Sequence, residues 1–394
     1  MSHRTVLISG AGIAGLTLAY WLRRHGWAPT VVERAPDLRA GGYKIDIRGA
    51  ALDVVARMGL LDEIRARTTD VRGGHVVDAT GRRVASMDGD TFGGRVHGDA
   101  EIHRGDLADL LRAATDVEYR FGDAIAALDE TDTGVTVTYD SGDVRTYDLV
   151  VGADGLHSRT RRLAFGPEER YVRPMGYRIA VYSVPNHLDL DREELTYVGA
   201  GRTALTYSTA RDDGAKAMFL YATPDASRRT PEELRRELAE EYRGEGWEVP
   251  TLLAGLAATP DFYADAMAQV HMDAWSRGRV ALVGDAAYAA SPASGQGTSL
   301  ALVGAYVLAG ELAAAPDHRT GFAAYERAMR PYVAANQRLG PANVKRMVLR
   351  SKGQVRLSMA MLSVLGRLPG HDRMMARVVA PIHRAATAIA LRTY

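Results

Sequence analysis

The chain has 394 residues, 46% hydrophobic and 25% charged, a composition typical of a soluble globular protein with a sizeable core. Its formal net charge of +1 gives no reason to expect a nucleic acid or a strongly acidic partner. It has no cysteine, which excludes disulfides, thiolate catalysis, iron–sulfur clusters and a cysteinyl bond to a cofactor. The length favours two domains over one, and the lack of cysteine fits a reducing cytoplasm.

The N-terminal apolar run Val6–Leu22 is not a signal peptide. It carries three glycines in ordered spacing, is followed by Arg23 and Arg24, and has no small-residue cleavage site. No apolar run in the sequence reaches the length that we expect of a membrane span. We therefore expect a cytoplasmic protein.

The first elements form a βαβ unit. Thr5–Ser9 is short, apolar and β-branched, which predicts a buried parallel strand. Gly15–His25 has helical periodicity that ends at Gly26, and Ala28–Arg34 reads as the second strand. The right-handed crossover of such a unit predicts a doubly wound α/β sheet.

Further along, the patterns alternate between this α/β domain and a second, sheet-based domain. The predicted elements are a helix over Val54–Arg67, a hairpin over His75–Met87, a helix over Arg104–Ala113, and a hairpin with a buried strand over Gly134–Gly155. Residues 170–272 are rich in β-segments, with one amphipathic helix beginning at Pro231, and Arg279–Ala287 returns to a buried strand. The second domain is therefore inserted into the first.

The motif Gly10–Gly15, GAGIAG, lies directly between a predicted strand and a predicted helix. Gly10 allows the tight turn, Gly12 lets the backbone approach a pyrophosphate, and Gly15 lets helix and strand pack closely. Backbone N–H groups of the turn, that of Ala14 included, and the helix dipole then hold the phosphates. Glu33 ends the second strand and is placed to accept hydrogen bonds from a ribose. This pattern leaves NAD and FAD both open.

A second glycine-rich loop, in Gly284–Leu312, resolves that choice toward a flavin. Asp285 follows a buried strand, at the edge where open α/β sheets bind ligands. The loop continues through Pro292, Gly295 and Gly297, and Thr298 or Ser299 is placed to start the next helix. A helix N-terminus stabilises the negative edge of a reduced flavin by about 0.3–1 kcal/mol when exposed and up to ~2 when partly buried. We expect Asp285 to hold the ribityl hydroxyls, so that the two loops bind opposite ends of FAD.

With these motifs in order, the sequence resembles the FAD-dependent aromatic hydroxylases, the single-component flavoprotein monooxygenases of the para-hydroxybenzoate hydroxylase type. The resemblance rests on Gly10–Gly15 with Glu33 and Arg34, on DLVVGADGLHSRTR (Asp148–Arg161), and on GDAAYAASPASGQG (Gly284–Gly297). Arg104 matches the family arginine that reaches the FAD, and Gly41–Leu60 matches the loop on the flavin face. The chain has the size of the short forms, such as the tetracycline-inactivating monooxygenases.

The resemblance implies a Rossmann-like FAD-binding domain, an inserted sheet-based substrate domain and C-terminal helices. We expect the FAD-binding domain to comprise residues 1–72, 97–168 and 273–335, the substrate domain residues 73–96 and 169–272, and the C-terminal helical segment residues 336–394.

The resemblance also implies a reaction. NADPH or NADH reduces FAD, and a flavin C4a-hydroperoxide formed with O2 inserts one oxygen into an aromatic or polyketide-like substrate. Asp154 is then expected near both FAD and the transient nicotinamide. This chemistry requires no protein base, so we assign no catalytic residue, and the sequence has no metal-site motif.

Three positions depart from the family pattern: Tyr288 stands where the family often has His, Ser299 where Asn is common, and Gly304 where Asp is common. We still expect Ser299 beside the cofactor. Two alternatives therefore stay open: a flavin oxidoreductase that inserts no oxygen, and a non-catalytic FAD-binding partner.

The substrate is expected between the flavin and the inserted sheet. Arg178, Arg202, Tyr207 and Tyr221 lie on predicted strands that border this cavity, and Tyr43 lies on the flavin-side loop. For any one of the four strand residues alone, a structural or solvent-facing position is the preferred interpretation, and Tyr43 is the better candidate.

The C-terminal stretch Pro341–Tyr394 has ten Lys or Arg residues against one acidic residue, Asp372. It is compatible with helices that bridge the domains and cover the active site, with attachment to an anionic membrane surface, or with a dimer face. We favour ordinary packing with a solvated basic face and leave the oligomeric state open.

Overall fold

The computed structural model describes residues 4–38, 42–96, 98–257, 259–365 and 371–394, with the side chains of residues 365 and 371–376 left out. The strands are β1 (Thr5–Ser9), β2 (Ala28–Glu33), β3 (Lys44–Ile47), β4 (Gly73–Val77), β5 (Arg83–Asp88), β6 (Ala100–His103), β7 (Glu118–Phe121), β8 (Ile125–Glu130), β9 (Val135–Tyr139), β10 (Val144–Tyr147), β11 (Leu149–Gly152), β12 (Val172–Val184), β13 (Glu193–Gly199), β14 (Arg202–Tyr207), β15 (Ala215–Ala222), β16 (Tyr263–Val270), β17 (Ser276–Arg277) and β18 (Val280–Leu282).

The α-helices are α1 (Ile13–Arg24), α2 (Ala50–Arg57), α3 (Leu61–Ala66), α4 (Gly89–Gly93), α5 (Arg104–Ala113), α6 (Arg159–Phe165), α7 (Pro231–Glu241), α8 (Val249–Ala254), α9 (Asp285–Tyr288), α10 (Gly297–Ala314), α11 (His318–Gln337), α12 (Leu339–Met347), α13 (Lys352–Leu365) and α14 (His371–Ala386). Short 3-10 turns cover Glu168–Arg170 and Pro292–Ser294.

The first domain is built on a six-stranded sheet in the order β17-β18-β11-β1-β2-β7, parallel except for β17. Its centre is β1, where Ile8 pairs with Val31 of β2 and Val151 of β11. These residues are fully buried, as expected for a parallel sheet with both faces covered. The predicted βαβ unit and doubly wound sheet are confirmed.

The second domain is a seven-stranded sheet in the order β16-β12-β15-β14-β13-β4-β5. The hairpin β4–β5 joins strands that follow it by a hundred residues, through a parallel pairing of β4 with β13. One face packs against α7 and α8 around Phe219 and Tyr242, and the other packs toward the first domain around Leu220 and Met267. A three-stranded sheet (β10-β9-β8) and the pair β3–β6 complete the topology.

The helix α10 lies at the centre of the first domain, between α1 and α11. Its residues are apolar on all sides. From the sequence we predicted no apolar run of membrane-spanning length. The helix nevertheless reaches that length and composition, with a mean hydropathy of 1.4 over 18 residues, but 78% of it is buried inside the protein. It is a core helix of the type that is hydrophobic all round.

The C-terminal helices connect the two domains. Asn343 of α12 donates to the carbonyl of Ala293 in the second glycine-rich loop. The hydroxyl of Thr203, on β14, donates to the carbonyl of Met347 at the end of α12. After α14, Tyr394 returns to the first domain, where its hydroxyl donates to Glu311 of α10.

Three predicted element boundaries were wrong. The helix expected over Val54–Arg67 is two helices, α2 and α3, because Gly59 adopts a φ of +78° and ends the first of them. The strand expected over Arg279–Ala287 is confined to β18, and Asp285 already begins a helical turn. The helix expected to start at Thr298 or Ser299 starts at Gly297.

Candidate functional site

The first glycine-rich turn is shaped by close backbone contacts. A Cβ on Gly10, whose φ is +108°, would lie 2.6 Å from the carbonyl oxygen of Ala153, and one on Gly15 would lie 2.0 Å from the carbonyl oxygen of Gly10. Gly12 differs, because a Cβ there would meet only the Nη2 of Arg104, at 3.9 Å. Close packing against backbone atoms therefore requires glycine at positions 10 and 15, whereas Gly12 leaves open space beside an arginine.

That open space faces the start of α1. Gly12 is the N-cap of this helix, and no side chain caps it, so the first N–H groups are available to a ligand. Glu33 lies beside the turn, where its carboxylate accepts from the backbone N–H of Ala11 at 2.9 Å and from that of Ala35 at 3.0 Å. An adenosine diphosphate moiety requires hydrogen-bond donors for its phosphates and an acceptor for its ribose hydroxyls; an arginine and free helix N–H groups supply the donors, and the carboxylate at the end of β2 supplies the acceptor.

The second glycine-rich loop meets the first. A Cβ on Gly284 would lie 2.8 Å from the Cβ of Ala14, so these two residues pack face to face. Gly295 adopts a φ of +64°, after the 3-10 turn that begins at Pro292. The helix α10 then starts at Gly297 without a side-chain cap. Two uncapped helix N-termini thus belong to neighbouring loops, as the hypothesis of one extended cofactor requires.

Asp285, Arg104 and Tyr43 lie close together beside these loops. The Asp285 side chain is exposed to solvent, but protein surrounds it, and this enclosure raises the pKa of its carboxyl to about 6, although the charge of Arg104 acts to lower it. Burial likewise raises the pKa of Tyr43, against the effect of Arg104. The Tyr43 ring lies 6.1 Å from that of Tyr263, which sequence reasoning missed because the residue lies in an unremarkable strand.

Asp154 and Ser299 make contacts within the protein. The Asp154 carboxylate accepts from the Ser158 hydroxyl at 2.5 Å and from both the N–H and the hydroxyl of Thr160, so it supports the start of α6, whose N-cap is Ser158. The Ser299 hydroxyl accepts from the N–H of Arg48, which ties α10 to the flavin-side loop. Arg34 is exposed at the end of β2. Direct contact of these residues with a cofactor stays a prediction.

Three of the predicted substrate residues lie on the wrong face of the seven-stranded sheet. Arg178 donates to the carbonyl of Asp225, Tyr221 donates to Glu237 of α7, and the Arg202 guanidinium lies 5.6 Å from the ring of Tyr242. All three point toward the α7 layer, away from the glycine-rich loops. Successive side chains of a strand alternate between faces, so an error of one residue in register reverses the assignment.

Tyr207 faces the first domain, but it is fully buried. Its hydroxyl accepts from the N–H of Lys44, and the Lys44 ammonium lies 4.8 Å from its ring. Tyr207 therefore supports the flavin-side loop, and it exposes no surface to a ligand.

A buried charge network fixes this loop to the substrate sheet. Burial alone would lower the pKa of Lys44, but ion pairs to Glu194 at 2.7 Å and Glu101 at 3.4 Å raise it instead. Arg95 pairs with Glu101 at 2.5 Å and with Asp46 at 3.7 Å. The alternating charges of KIDIR (Lys44–Arg48) were the available signal for this network.

His157 forms a second connection between the domains. Its Nδ1 lies 2.9 Å from Glu168, and its Nε2 lies 3.1 Å from Asp265 of β16. The hydrogen bond with Asp265 is the largest effect that raises the pKa of His157, and Glu168 adds to it against the effect of burial.

The family departures at Tyr288 and Gly304 are in contact. A Cβ on Gly304 would lie 1.9 Å from the Tyr288 hydroxyl oxygen, so the tyrosine occupies the space that a side chain at position 304 would need. The Tyr288 hydroxyl hydrogen-bonds that of Tyr325 at 2.9 Å, and its ring packs 4.7 Å from Trp275. These two departures are therefore one compensated change in a buried aromatic cluster.

Comparison with known proteins agrees with this geometry. A family profile described as "FAD binding domain" matches residues 3–338. A flavin-dependent monooxygenase from an unknown prokaryotic organism is 43% identical over 345 residues, which cover 86% of this chain and 89% of that protein. An uncharacterized protein of Mycobacterium tuberculosis is 45% identical over 348 residues, covering 86% of this chain and 94% of the relative.

The crystal structure of tetracycline destructase Tet(55) is similar over the whole chain. It superposes with a TM-score of 0.86 at 38% identity and covers 100% of this chain and 99% of its own. The chain therefore belongs to the family of FAD-binding aromatic hydroxylases, which are FAD-dependent monooxygenases.

Proposed function

We propose that the protein uses NADPH or NADH and O2 to hydroxylate an aromatic or polyketide-like small molecule in the cytoplasm. The observation that carries the proposal is that two uncapped helix N-termini belong to loops in contact, with Arg104 beside Gly12 and near enough to Asp285 to act on its pKa. The similarity to a tetracycline destructase favours a polycyclic aromatic substrate within that class.

The residues have distinct tasks in this proposal. The N–H groups at the start of α1, with Arg104, bind the pyrophosphate, and Glu33 binds the ribose. Asp285 binds the ribityl chain, and the start of α10 stabilises negative charge on the flavin ring. Bound FAD supplies hydride acceptance from the nicotinamide and activation of O2 for transfer of one oxygen atom.

Tyr43 and Tyr263 are the residues that we expect to meet the substrate. Both are largely buried, and burial raises the pKa of both, so they stay neutral and present an aromatic surface. Aromatic side chains at 4.5–7 Å bind planar ring systems by offset or edge-on contact. A flat polycyclic molecule fits such a surface better than a charged aliphatic one does.

The test is anaerobic reduction of the purified holoprotein by NADPH or NADH with and without a panel of phenolic and polycyclic compounds, followed by turnover under ¹⁸O₂. We expect one class of compound to accelerate flavin bleaching and to gain one labelled oxygen. Product without label would favour the oxidoreductase that inserts no oxygen. A flavin that no nicotinamide reduces in the presence of any compound would favour the non-catalytic FAD-binding partner.

A further inference from the structure

The outer face of α13 carries an exposed apolar stripe. Leu357 is 63% exposed, Met361 55% and Val364 53%, and their spacing of four and three residues places them on one side of the helix. Val378 of α14 is also exposed, at 43%. Single exposed apolar residues are common on protein surfaces, whereas residues aligned on one helix face form a contiguous apolar patch, a feature of interaction sites.

The orientation of this stripe is fixed by the body of the protein. Just before α13, the carbonyl of Leu349 accepts from the N–H of Gly201 at 2.6 Å, and that of Met347 accepts from Thr203. The opposite face of α13 packs against β5 and β13. The stripe therefore points outward because both the start and the inner face of the helix are held.

Positive charge lies on the helix that carries the stripe and on the helix before it. Lys345, Arg346, Lys352 and Arg356 are exposed on α12 and α13, and none of them forms an ion pair within the described part of the chain. The segment from Pro341 to the C-terminus has ten basic residues and one acidic residue. Exposed apolar side chains therefore lie in the same segment as these basic residues, which the expectation of a solvated basic face did not include.

We propose that α13 docks this protein on an anionic lipid surface, with Leu357, Met361 and Val364 inserted among the acyl chains and the flanking basic residues at the headgroups. Apolar residues framed by Lys and Arg are the chemistry of helices that lie in a membrane interface. A second copy of the chain fits worse, because a two-fold contact through this face would bring like charges together. The proposal goes beyond the proposed reaction and does not depend on it.

Co-sedimentation of the holoprotein with vesicles tests the proposal. We expect several-fold more protein on vesicles of phosphatidylcholine mixed with phosphatidylglycerol than on phosphatidylcholine alone, and we expect the bound fraction to fall as salt rises. Replacement of Leu357, Met361 and Val364 together by serine should remove the binding. The matched control is Val144→Ser, on β10, where an equally exposed valine (59%) lies outside the basic region.

A second variant, Lys352→Glu with Arg356→Glu, tests the contribution of charge while the apolar stripe stays intact. It should also lose vesicle binding and should retain FAD. Equal binding to both kinds of vesicle, binding to neither, or full binding by the serine variant would overturn the proposal. Light scattering that finds a dimer dissociated by the serine variant would assign the stripe to a second copy of the chain instead.

Discussion

The contact between Gly304 and Tyr288 leads to a quantitative prediction for Gly304→Ala. The added Cβ would stand 1.9 Å from the Tyr288 hydroxyl oxygen, at least ~1.5 Å too close for an ordinary contact. The ring cannot swing aside, because Trp275 packs against it and Tyr325 holds its hydroxyl. Overpacking of a core costs about 1–3 kcal/mol, of which the better helix propensity of alanine offsets up to about 1. We expect a net loss of roughly 1–2 kcal/mol in the free energy of unfolding.

Tyr288→Phe should relieve most of that cost. Without the hydroxyl, the nearest ring atom would be 3.1 Å from the new Cβ, a distance that a small shift corrects. The single change loses the hydrogen bond to Tyr325, worth about 1 kcal/mol, but Tyr325 keeps its bond to the carbonyl of Leu282. The double variant should therefore be no less stable than Gly304→Ala alone, with a coupling energy of about 1–2 kcal/mol.

The assay is chemical denaturation of the apoprotein for all four members of the cycle, with an FAD titration of each. We expect FAD affinity to change little, because the two residues contact each other and the aromatic cluster. Strictly additive unfolding energies would refute the packing argument. A selective loss of FAD affinity at unchanged stability would refute the claim that these departures are structural.

Three further predictions test other parts of the site. Gly12→Ala should keep the fold and weaken FAD binding about ten- to a hundredfold in a fluorescence titration, through loss of one charge-assisted hydrogen bond. Gly15→Ala, in contrast, should fail to fold because its Cβ would meet backbone atoms. Normal FAD affinity of Gly12→Ala would contradict this prediction. The pKa of His157 is raised above its ordinary value of 6.5, so its pairing with Asp265 should stabilise the protein fully below pH 6.5 and lose that effect as pH rises through the folded pKa. The free energy of unfolding should therefore fall with pH across this window in the natural protein and lose this pH dependence in His157→Gln. An unchanged pH dependence in the variant would rule out the assignment. Tyr221→Phe should cost about 1 kcal/mol of stability and leave KM for the substrate unchanged, whereas a raised KM would return the residue to the pocket.

The sequence alone was sufficient for the βαβ unit that opens the first domain and for the positions of the two glycine-rich loops. GxGxxG after an apolar strand, a carboxylate at the end of the next strand and a second glycine-rich helix start are local patterns, and local backbone constraints enforce them. A Cβ at position 15 would lie 2.0 Å from the carbonyl oxygen of Gly10, which leaves no residue but glycine possible there. The strands β1 and β2 and the helix α5 agree with their predicted positions to within a residue, and α7 begins at Pro231 as predicted.

Only the tertiary structure decided which face of a strand or helix each side chain is on and which distant residues it contacts. Arg178 and Tyr221 were assigned to the wrong side of their sheet, because a strand has period two and its register is set by distant partners. Tyr263, His157 and the pairing of Lys44 with Glu194 bring together residues 100 or more positions apart, and no local pattern encodes such contacts. Likewise, the sequence contains Tyr288 and Gly304 as two separate departures, and only the packing of α10 against the aromatic cluster makes them one.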